Sequence, residues 1–398
     1  MSLEGKIAVR LHWDGQRIVR VELEPRHPLQ AAGLLRGNSA VQAAHTLPML
    51  FSLCAKAQAA AAVTALEAAQ GAAPGVAAAK WRELMVLGEA IQELLWRFLL
   101  DLPGIMGEQR QPERLTELRR RFARVVAPVL GMEEWKTPGA ELPEPDAAAW
   151  EGFSRDVEAV ISADILGLPA ADWAEAITVG QTARWLHASP TPTARLLLKL
   201  WNGKGLWGGG GIALMPETSR ERVLNELLPG LENDPDFAFR PHWRGRVMET
   251  GALARMRDHP LLAGLLQRDG ATVPARLLAR LVELVELTKT LRAPAGESPG
   301  WVQGAALRHG AGLAWVQTAR GLLVHRAEVD DSGNVRDYRI VAPTEWNFHP
   351  AGACVHGLAG RAAASADEAR HCAELMVQAL DPCVAYEIEI IKGQTLYA

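Results

Sequence analysis

Four side chains in this sequence are suited to bind a soft metal or to act as nucleophiles: Cys54, Cys354, Cys372 and Cys383. Cys383 follows Asp381-Pro382, and this dipeptide favours a turn, because proline fixes its own φ and restricts the residue before it. A helical pattern over about 365–380 precedes the turn, so Cys383 is predicted at the end of a helix on stiff backbone. Taken alone, a thiol in this setting is more often a buried structural residue.

Composition excludes several classes of protein. The 398 residues are 48% hydrophobic and 22% charged with a net charge of −4, which is typical of an ordinary soluble protein with more than one core. No basic stripe indicates a nucleic-acid partner, no secretory signal is present, and no apolar run reaches the ~20 residues of a membrane span. Four cysteines in a chain of this length do not form a disulfide framework. We therefore predict a cytoplasmic protein with reduced thiols and with no nucleic-acid or membrane partner.

Two hairpins are predicted near opposite ends of the chain. Residues 5–24 form two alternating or β-branched runs joined by Asp14-Gly15, and Pro25 ends the second run. Residues 312–342 return to strands on either side of the polar turn at 330–334.

Helices are predicted between the hairpins. The first covers 38–70, with Asn38 or Ser39 as its cap and a kink at Pro48. Further helices are predicted at 79–100, 112–127, 147–166 and 273–292, from apolar residues at helical spacing.

Two segments between the helices carry weaker predictions. Residues 181–217 are predicted to be irregular. Their Trp207-Gly208-Gly209-Gly210-Gly211 run favours a flexible loop, since no Lys-Ser/Thr follows as a P-loop requires. Residues 131–146 are the best internal linker candidate.

The predicted fold class is α+β and mostly α-helical, with a helix bundle that brings the chain ends together. The chain is treated as one domain, 1–398. Its sub-regions are an N-terminal hairpin (1–37), a helical core (38–310), a β hairpin (311–350) and a C-terminal helix with the Cys383 segment (351–398).

Several segments together resemble the large subunit of nickel–iron hydrogenases. Leu380-Asp381-Pro382-Cys383 resembles the C-terminal Asp-Pro-Cys-x-x-Cys-x-x-His of that family, and Val341-Ala342-Pro343-Thr344-Glu345-Trp346-Asn347-Phe348 resembles its Val-Pro-Thr-Thr-Trp-Asn-Phe. The other matching segments are Leu3-Glu4-Gly5, Ser52-Leu53-Cys54 through Glu67, Glu249 through Arg255, His259-Pro260-Leu261 and Ala319-Arg320-Gly321-Leu322. They occur in family order over nearly the whole chain, which implies the fold of that subunit.

The departures from the family pattern concern the metal ligands. The family binds nickel with two pairs of cysteines. Here the first cysteine of the N-terminal pair is Phe51, and the second of the C-terminal pair is Tyr386. The family histidines that follow the two pairs fall on Gln58 and Glu389. Cys54 and Cys383 remain as predicted metal ligands.

Two thiolates do not complete a nickel site of the family type, which needs four soft ligands. An iron that already carries two cyanides and one carbonyl has three of its six positions filled, so two thiolates can hold it. By position Cys54 matches a thiolate that bridges both metals, whereas Cys383 matches one that binds nickel only. Whether Cys383 binds iron directly is left open by the sequence.

The resemblance also implies residues that contact the cyanides. Arg320 matches the family arginine beside these ligands, where a guanidinium offers directed donors. Thr344, after Pro343, falls where a hydroxyl contacts the other cyanide, and we place Pro343 with them at the cofactor. Without the resemblance, Arg320 would be interpreted as a surface salt bridge and Thr344 as a strand residue.

The remaining thiols and histidines lie outside these motifs. Cys354 and Cys372 are predicted to be structural. His27, His45 and His349 are possible ligands, but a lone histidine is more often a hydrogen-bonded structural residue.

The pattern is similar to the HupK/HoxV type of hydrogenase maturation protein, which implies an assembly scaffold and not an enzyme. It would hold the Fe(CN)2(CO) unit without nickel, receive it from HypC-like and HypD-like proteins, and pass it to the apo large subunit. Two alternatives stay open, a divergent hydrogenase that still oxidises hydrogen and a metal-free structural subunit of the same fold. Because Glu389 replaces the histidine at which the family tail is cleaved, we also expect no processing, so that Ala398 stays in the mature protein.

Overall fold

The computed structural model describes residues 5–26, 33–51, 54–131, 133–175, 178–202, 208–209, 211–292 and 300–392. Several residues that carry predictions lie outside these ranges: Leu3, Glu4, His27, Ser52, Leu53, Trp207, Gly210 and Ala398. None of the helices within the described ranges combines the length and the apolar character that a membrane crossing requires.

Helices make up most of the described chain, which confirms the predicted α+β class dominated by helix. They are α1 Ala40–Leu50, α2 Ala55–Gln70, α3 Val76–Trp96, α4 Leu102–Ile105, α5 Pro112–Val125, α6 Ala127–Leu130, α7 Ala147–Val160, α8 Ala170–Glu175, α9 Val179–Ala188, α10 Pro192–Asn202, α11 Arg220–Arg222, α12 Leu228–Asn233, α13 Ala252–Arg255, α14 Pro260–Asp269, α15 Val273–Arg292, α16 Pro343–Asn347, α17 Ala353–Leu358 and α18 Ala366–Leu380. Segments of π-helix at Arg97–Asp101, Ile161–Leu166 and Val223–Leu227 continue α3, α7 and α11.

The strands form three sheets. They are β1 Lys6–Trp13, β2 Ile18–Arg26, β3 Ala213–Leu214, β4 Met248–Glu249, β5 Val302–Arg308, β6 Ala311–Thr318, β7 Gly321–Val329, β8 Val335–Val341 and β9 Ala385–Lys392. The order is β2-β1-β9 in the first sheet and β5-β6-β7-β8 in the third, with β3 and β4 paired between them. Because β5 lies before residue 311, the C-terminal sheet begins inside the segment that was predicted to be helical core.

The last strand brings the two ends of the described chain together. β9 follows α18 and pairs with β1 in parallel, from Lys6 opposite Ala385 to Trp13 opposite Lys392. Convergence of the chain ends was predicted from the sequence, but strand β9 was not. The segment that contains Cys383 is therefore held on both sides, by α18 before it and by the sheet after it.

The helix predicted at 38–70 is two helices. Ser39 caps α1 in a capping box with Gln42, as predicted for one of the two candidate caps. Pro48, where a kink was predicted, lies inside α1, and the helix breaks three residues later, at Phe51. This break ends just before α2 and makes Cys54 the residue that precedes the helix, rather than a residue within it.

The prediction of irregular structure over 181–217 is also wrong for its first half. α9 and α10 occupy most of residues 179–202, and Thr178 caps α9 in a second capping box. Trp185 and Leu196 of these helices are buried against the main core. The short polar break at 189–191 separates the apolar stripes of the two helices, so neither stripe was recognised as a helix from the sequence.

Two helices, α15 and α2, lie at the centre of the packing. α15 is buried along nearly its whole length, as expected of a central helix surrounded by others. α2 is rich in alanine and packs on β5, β6 and β7. A Cβ at Gly312 of β6 would collide with the backbone of Ala65 and Ala69 in α2, so glycine lets the helix lie close to the sheet.

Candidate metal centre

Cys54 occupies the N-cap position of α2 and is 7% exposed. The usual N-cap residue accepts a hydrogen bond from the first turn through its side chain. Here the carboxylate of Glu89 on α3 performs this function, because it accepts from the backbone N–H groups of Lys56 and Ala57, both at 2.9 Å. The sulfur of Cys54 is therefore not required for capping.

Cys383 is half-buried and lies three residues after the end of α18. Asp381 caps that helix in the left-handed conformation with φ of 56°, and its N–H donates to the Val377 carbonyl at 2.7 Å. The Cys383 backbone N–H donates to Thr344 Oγ1 at 3.1 Å, and Thr344 Oγ1 lies 2.9 Å from Cys383 Sγ. Because the hydroxyl oxygen already accepts the N–H, its proton is free to donate to the sulfur.

The structure brings the two predicted ligands together. Cys54 and Cys383 lie close enough that each thiol is the largest influence on the pKa of the other, and both are free thiols. The hydrogen bond with Cys54, the charge of Arg320 and the Thr344 hydroxyl lower the pKa of Cys383 to about 6, against the opposing effect of burial. The same hydrogen bond and burial raise the pKa of Cys54 well above its usual value. The two thiols therefore titrate as a pair, and loss of the first proton is favoured over loss of the second.

Arg320 is buried, with 3% of its surface exposed, so its alternative interpretation as a surface salt bridge is wrong. Its Nη2 lies 2.6 Å from Glu93 Oε2, and its Nε lies 3.4 Å from Asp381 Oδ1. Asn347 donates from Nδ2 to the Arg320 carbonyl at 3.1 Å. This backbone contact fixes the start of the Arg320 side chain.

The charges around Asp381 were not predicted from the sequence. Besides Arg320, the guanidinium of Arg97 lies 2.6 Å from one carboxylate oxygen, and that of Arg280 lies 3.4 Å from the other. Burial favours the neutral acid, but the three guanidinium charges outweigh it and lower the pKa of Asp381 to about 2. A signal was present in the sequence, because Arg280 lies at helical spacing from the apolar residues Leu277 and Leu284 of α15.

Pro343 and Thr344 lie in the first turn of α16, and both are buried. Thr344 is therefore a helix residue, which corrects its alternative interpretation as a strand residue. Pro343 contributes by fixing φ at the helix start, where its missing N–H removes no hydrogen bond. Glu345, which follows Thr344, is also buried. Burial and the charge of Cys383 raise the pKa of Glu345 to about 8.

The other candidate side chains have structural surroundings. Cys354 and Cys372 are buried in the main core, as predicted for structural thiols. His45 Nε2 hydrogen-bonds with Thr137 Oγ1 at 3.2 Å, and His349 Nδ1 accepts from the backbone N–H of Ala351 at 3.0 Å. Neither histidine has a hydrogen bond to the two site thiols in the described part of the chain.

The matching sequence segments converge around Arg320. The Thr250 backbone N–H donates to Asn347 Oδ1 at 2.9 Å, and Thr250 Oγ1 accepts from Leu322 N–H at 3.0 Å. A Cβ on Gly251 would lie 3.1 Å from the Arg320 carbonyl. Segments that are far apart in sequence thus form one buried network beside the thiols.

Comparisons with known proteins agree with this architecture. The hydrogenase expression/formation protein HoxV of Cupriavidus necator is 31% identical over 386 residues, which are 93% of this chain and 94% of that protein. The hydrogenase expression/formation protein HupK of Azotobacter vinelandii is 31% identical over 395 residues, which are 98% of this chain and all of that protein. The chain belongs to the HoxV/HupK family. No protein-family model matches it.

The fold of this HoxV/HupK chain is that of a hydrogenase large subunit. A solved structure of the Ni-Fe-Se hydrogenase from Desulfomicrobium baculatum superposes with a TM-score of 0.64 and 14% identity, over 94% of this chain and 95% of that chain. This comparison establishes the fold alone. Both resemblances drawn from the sequence, to the large subunit and to HupK/HoxV, are confirmed.

The positions where the chain departs from the hydrogenase pattern have other partners here. Gln58 Nε2 donates to Cys54 Sγ at 3.7 Å. The Tyr386 hydroxyl accepts from Gln378 Nε2 at 3.0 Å, and Glu389 accepts from Arg10 Nε at 2.9 Å across the first sheet. Tyr386 and Glu389 therefore hold β9 in place.

The donor set available to a metal is small. Within the described ranges, no three side chains of histidine, cysteine, aspartate or glutamate lie together as a metal site. Two adjacent thiols suit a metal that brings its own ligands, and they do not suit a bare nickel ion, which needs four soft ligands. A separate groove of about 690 Å³ between α2, α3 and β5 includes none of the predicted site residues.

Proposed function

We propose that this chain is a hydrogenase maturation scaffold that transiently holds an Fe(CN)2(CO) unit between Cys54 and Cys383. The adjacency of these two thiols, without a third protein ligand in the described chain, is the observation that carries the proposal. Iron in this unit has three of its six positions filled by diatomic ligands. Two thiolates hold it and leave one position open, which fits a cargo that must be released.

The surrounding charges support an anionic cargo. Two cyanides and two thiolates on iron(II) form a dianion, and burial of an anion is costly unless cationic or donor groups lie beside it. Arg320 acts on both thiols through its positive charge and is 3% exposed. Its guanidinium would donate to one cyanide, and Thr344 with Pro343 would line the other side.

The proposed partners follow from this role. The unit would come from a maturation complex of HypC-like and HypD-like proteins and would pass to the apo large subunit. The names of the relatives, hydrogenase expression/formation proteins, support a role in maturation. The chain itself would not turn over hydrogen, because Phe51 and Tyr386 replace two of the cysteines that a nickel site requires.

Infrared spectroscopy with metal analysis of protein purified from its native host tests the proposal. Cyanide and carbonyl bands with iron and without nickel are expected. Bands accompanied by nickel would indicate a divergent hydrogenase, and the absence of bands would indicate a metal-free structural subunit. The same measurement on Cys54→Ser should show no bands. Cys372→Ser is its matched control, because Cys372 is a buried thiol outside the site.

A further inference from the structure

A line of four side chains connects the C-terminal sheet to Cys54. The Tyr338 hydroxyl lies 2.8 Å from His325 Nδ1, and His325 Nε2 lies 2.9 Å from Gln58 Oε1. Gln58 Nε2 then lies 3.7 Å from Cys54 Sγ. The line joins β8, β7 and α2, and ends at one of the two proposed ligands.

The line is sealed from solvent. Gln58, His325 and Tyr338 are 1%, 0% and 6% exposed, so water is not available to replace a lost partner. Burial lowers the pKa of His325 to about 3 and raises that of Tyr338, so both side chains are neutral at physiological pH. A neutral imidazole has one N–H and one acceptor nitrogen. The hydrogen bonds along this line must therefore all be donated in one direction, either from Tyr338 toward Gln58 or from Gln58 toward Tyr338.

The Tyr338 hydroxyl decides this direction. His325 Nδ1 is its only hydrogen-bond partner in the described part of the chain. If the hydroxyl donates to Nδ1, then Nε2 carries the histidine proton and donates to Gln58 Oε1. The Gln58 amide is then oriented with its NH2 group toward Cys54.

The opposite direction has two costs. His325 Nδ1–H would donate to the Tyr338 oxygen, and the hydroxyl proton would have no acceptor, although an unsatisfied buried donor costs about 1–3 kcal/mol. The Gln58 amide would flip and turn its carbonyl oxygen toward Cys54. A thiolate bound to a metal has no proton to donate to that oxygen, so the contact would be repulsive.

We propose that Tyr338 and His325 orient the Gln58 amide so that it always donates to the sulfur of Cys54, which makes Gln58 a positioning residue for the iron cargo. The part of this proposal that concerns the iron cargo rests on the proposed function. The Tyr338 hydroxyl fixes the direction without any metal, and the repulsion at Cys54 adds to this preference only when the cargo is bound.

The expected effect on the cargo follows from ordinary coordination chemistry. A hydrogen bond to a thiolate withdraws electron density from sulfur, so the thiolate donates less to the metal. The iron then donates less into the carbonyl and cyanide antibonding orbitals, and their stretching frequencies rise. Gln58 thus weakens the Cys54–iron bond, which suits a cargo that must leave.

The first test uses the protein without iron. The full chain is labelled with 15N at histidine, and the two ring nitrogens of His325 are assigned by comparison with His325→Gln. The proposal expects the proton on Nε2 and expects Tyr338→Phe to allow the other tautomer. A proton on Nδ1 in the unmodified chain would overturn the direction of the line.

The second test uses loaded protein from the native host. Gln58→Met keeps the length of the side chain and removes both amide groups, so the carbonyl and cyanide bands should shift to lower frequency. Gln92→Met is the matched control, because Gln92 is a buried glutamine that bonds to the Gly88 carbonyl of its own helix. Its bands should match those of the unmodified chain.

The outcomes separate the two proposals. Equal shifts in the two variants, or no shift in Gln58→Met, would overturn the positioning role while the bands themselves uphold the scaffold function. If the unmodified chain shows no bands, the scaffold function fails and the effect on the cargo fails with it. The histidine measurement still decides the direction of the line in that case.

Discussion

Asp381 is the buried carboxylate on which the charge balance beside the thiols depends. Its side chain is 0% exposed, and Arg97, Arg280 and Arg320 lie 2.6, 3.4 and 3.4 Å from its oxygens. Asp381→Asn removes the charge and keeps the size. Asparagine also tolerates the left-handed backbone of this residue, so the change isolates the electrostatic effect.

The loss of stability expected for Asp381→Asn depends on Arg280, because this arginine has no second carboxylate beside it in the described chain. Arg97 and Arg320 each retain another carboxylate, whereas Asp381 is the only carboxylate within 4.0 Å of Arg280 in the described chain. Removing one partner of a buried ion pair costs about 3–5 kcal/mol. Unfolding entropy is roughly 2.1 cal/mol/K per residue, which gives about 0.8 kcal/mol/K for 398 residues. A loss of about 4 kcal/mol should therefore lower the Tm by roughly 5 °C.

Asp337→Asn provides the matched control. Asp337 also faces three arginines, with Arg36, Arg326 and Arg339 at 3.8, 3.7 and 3.5 Å, but its side chain is 32% exposed. Exposed ion pairs contribute about 0–1 kcal/mol, so its Tm should fall by no more than about 1 °C. Calorimetry on both variants measures the difference. Equal changes in Tm would refute the argument that burial makes the Asp381 cluster costly to disrupt.

Three further outcomes are expected. Cys54→Ser or Cys383→Ser should abolish iron retention in metal analysis, because a hydroxyl is a poor soft-metal ligand. Cys372→Ser should retain iron, and the reverse pattern would show that the wrong thiols were chosen. Arg320→Leu should weaken retention without abolishing it, because Arg320 would donate hydrogen bonds to a cyanide and not bind the iron itself. Complete loss of iron would contradict this role. Burial lowers the pKa of His325 to about 3 from 6.5, so between these values the unfolded chain binds a proton that the folded chain does not. The contribution of His325 to the free energy of unfolding should be complete above pH 6.5. Below that pH the free energy of unfolding should fall by about 1.4 kcal/mol per pH unit. Urea unfolding should show a shallower fall for His325→Gln, and parallel curves would contradict this reasoning.

Local patterns predicted the elements whose signals lie within a few residues. The hairpin at 5–24 combines period-2 alternation with a two-residue turn signal, and the helix at 273–292 carries an uninterrupted stripe. Both appear in the structure as β1 with β2 and as α15. Errors arose where one predicted helix is two, as at Phe51, or where a short polar break separated two helices, as at 189–191.

The sequence alone determined which ligands are available. The replacement of two family cysteines by Phe51 and Tyr386 is visible without a structure, and it leaves Cys54 and Cys383 as the cysteines at the family ligand positions. The matching segments around Arg320 and Thr344 likewise follow from residue types in order along the chain. Coordination numbers then limit what two thiols can hold, because this limit belongs to the metal and not to the fold.

The tertiary structure alone decided what surrounds those ligands. Glu93 meets Arg320 across 227 positions of sequence, and Gln58 meets His325 across 267. No periodicity or turn signal links residues this far apart, because local propensities act over one or two turns of chain. Packing of α2 on β7 and of α3 against β6 brings them into contact. The direction of the line to Cys54 and the charge balance at Asp381 therefore follow from burial, which removes the water that would otherwise satisfy each group separately.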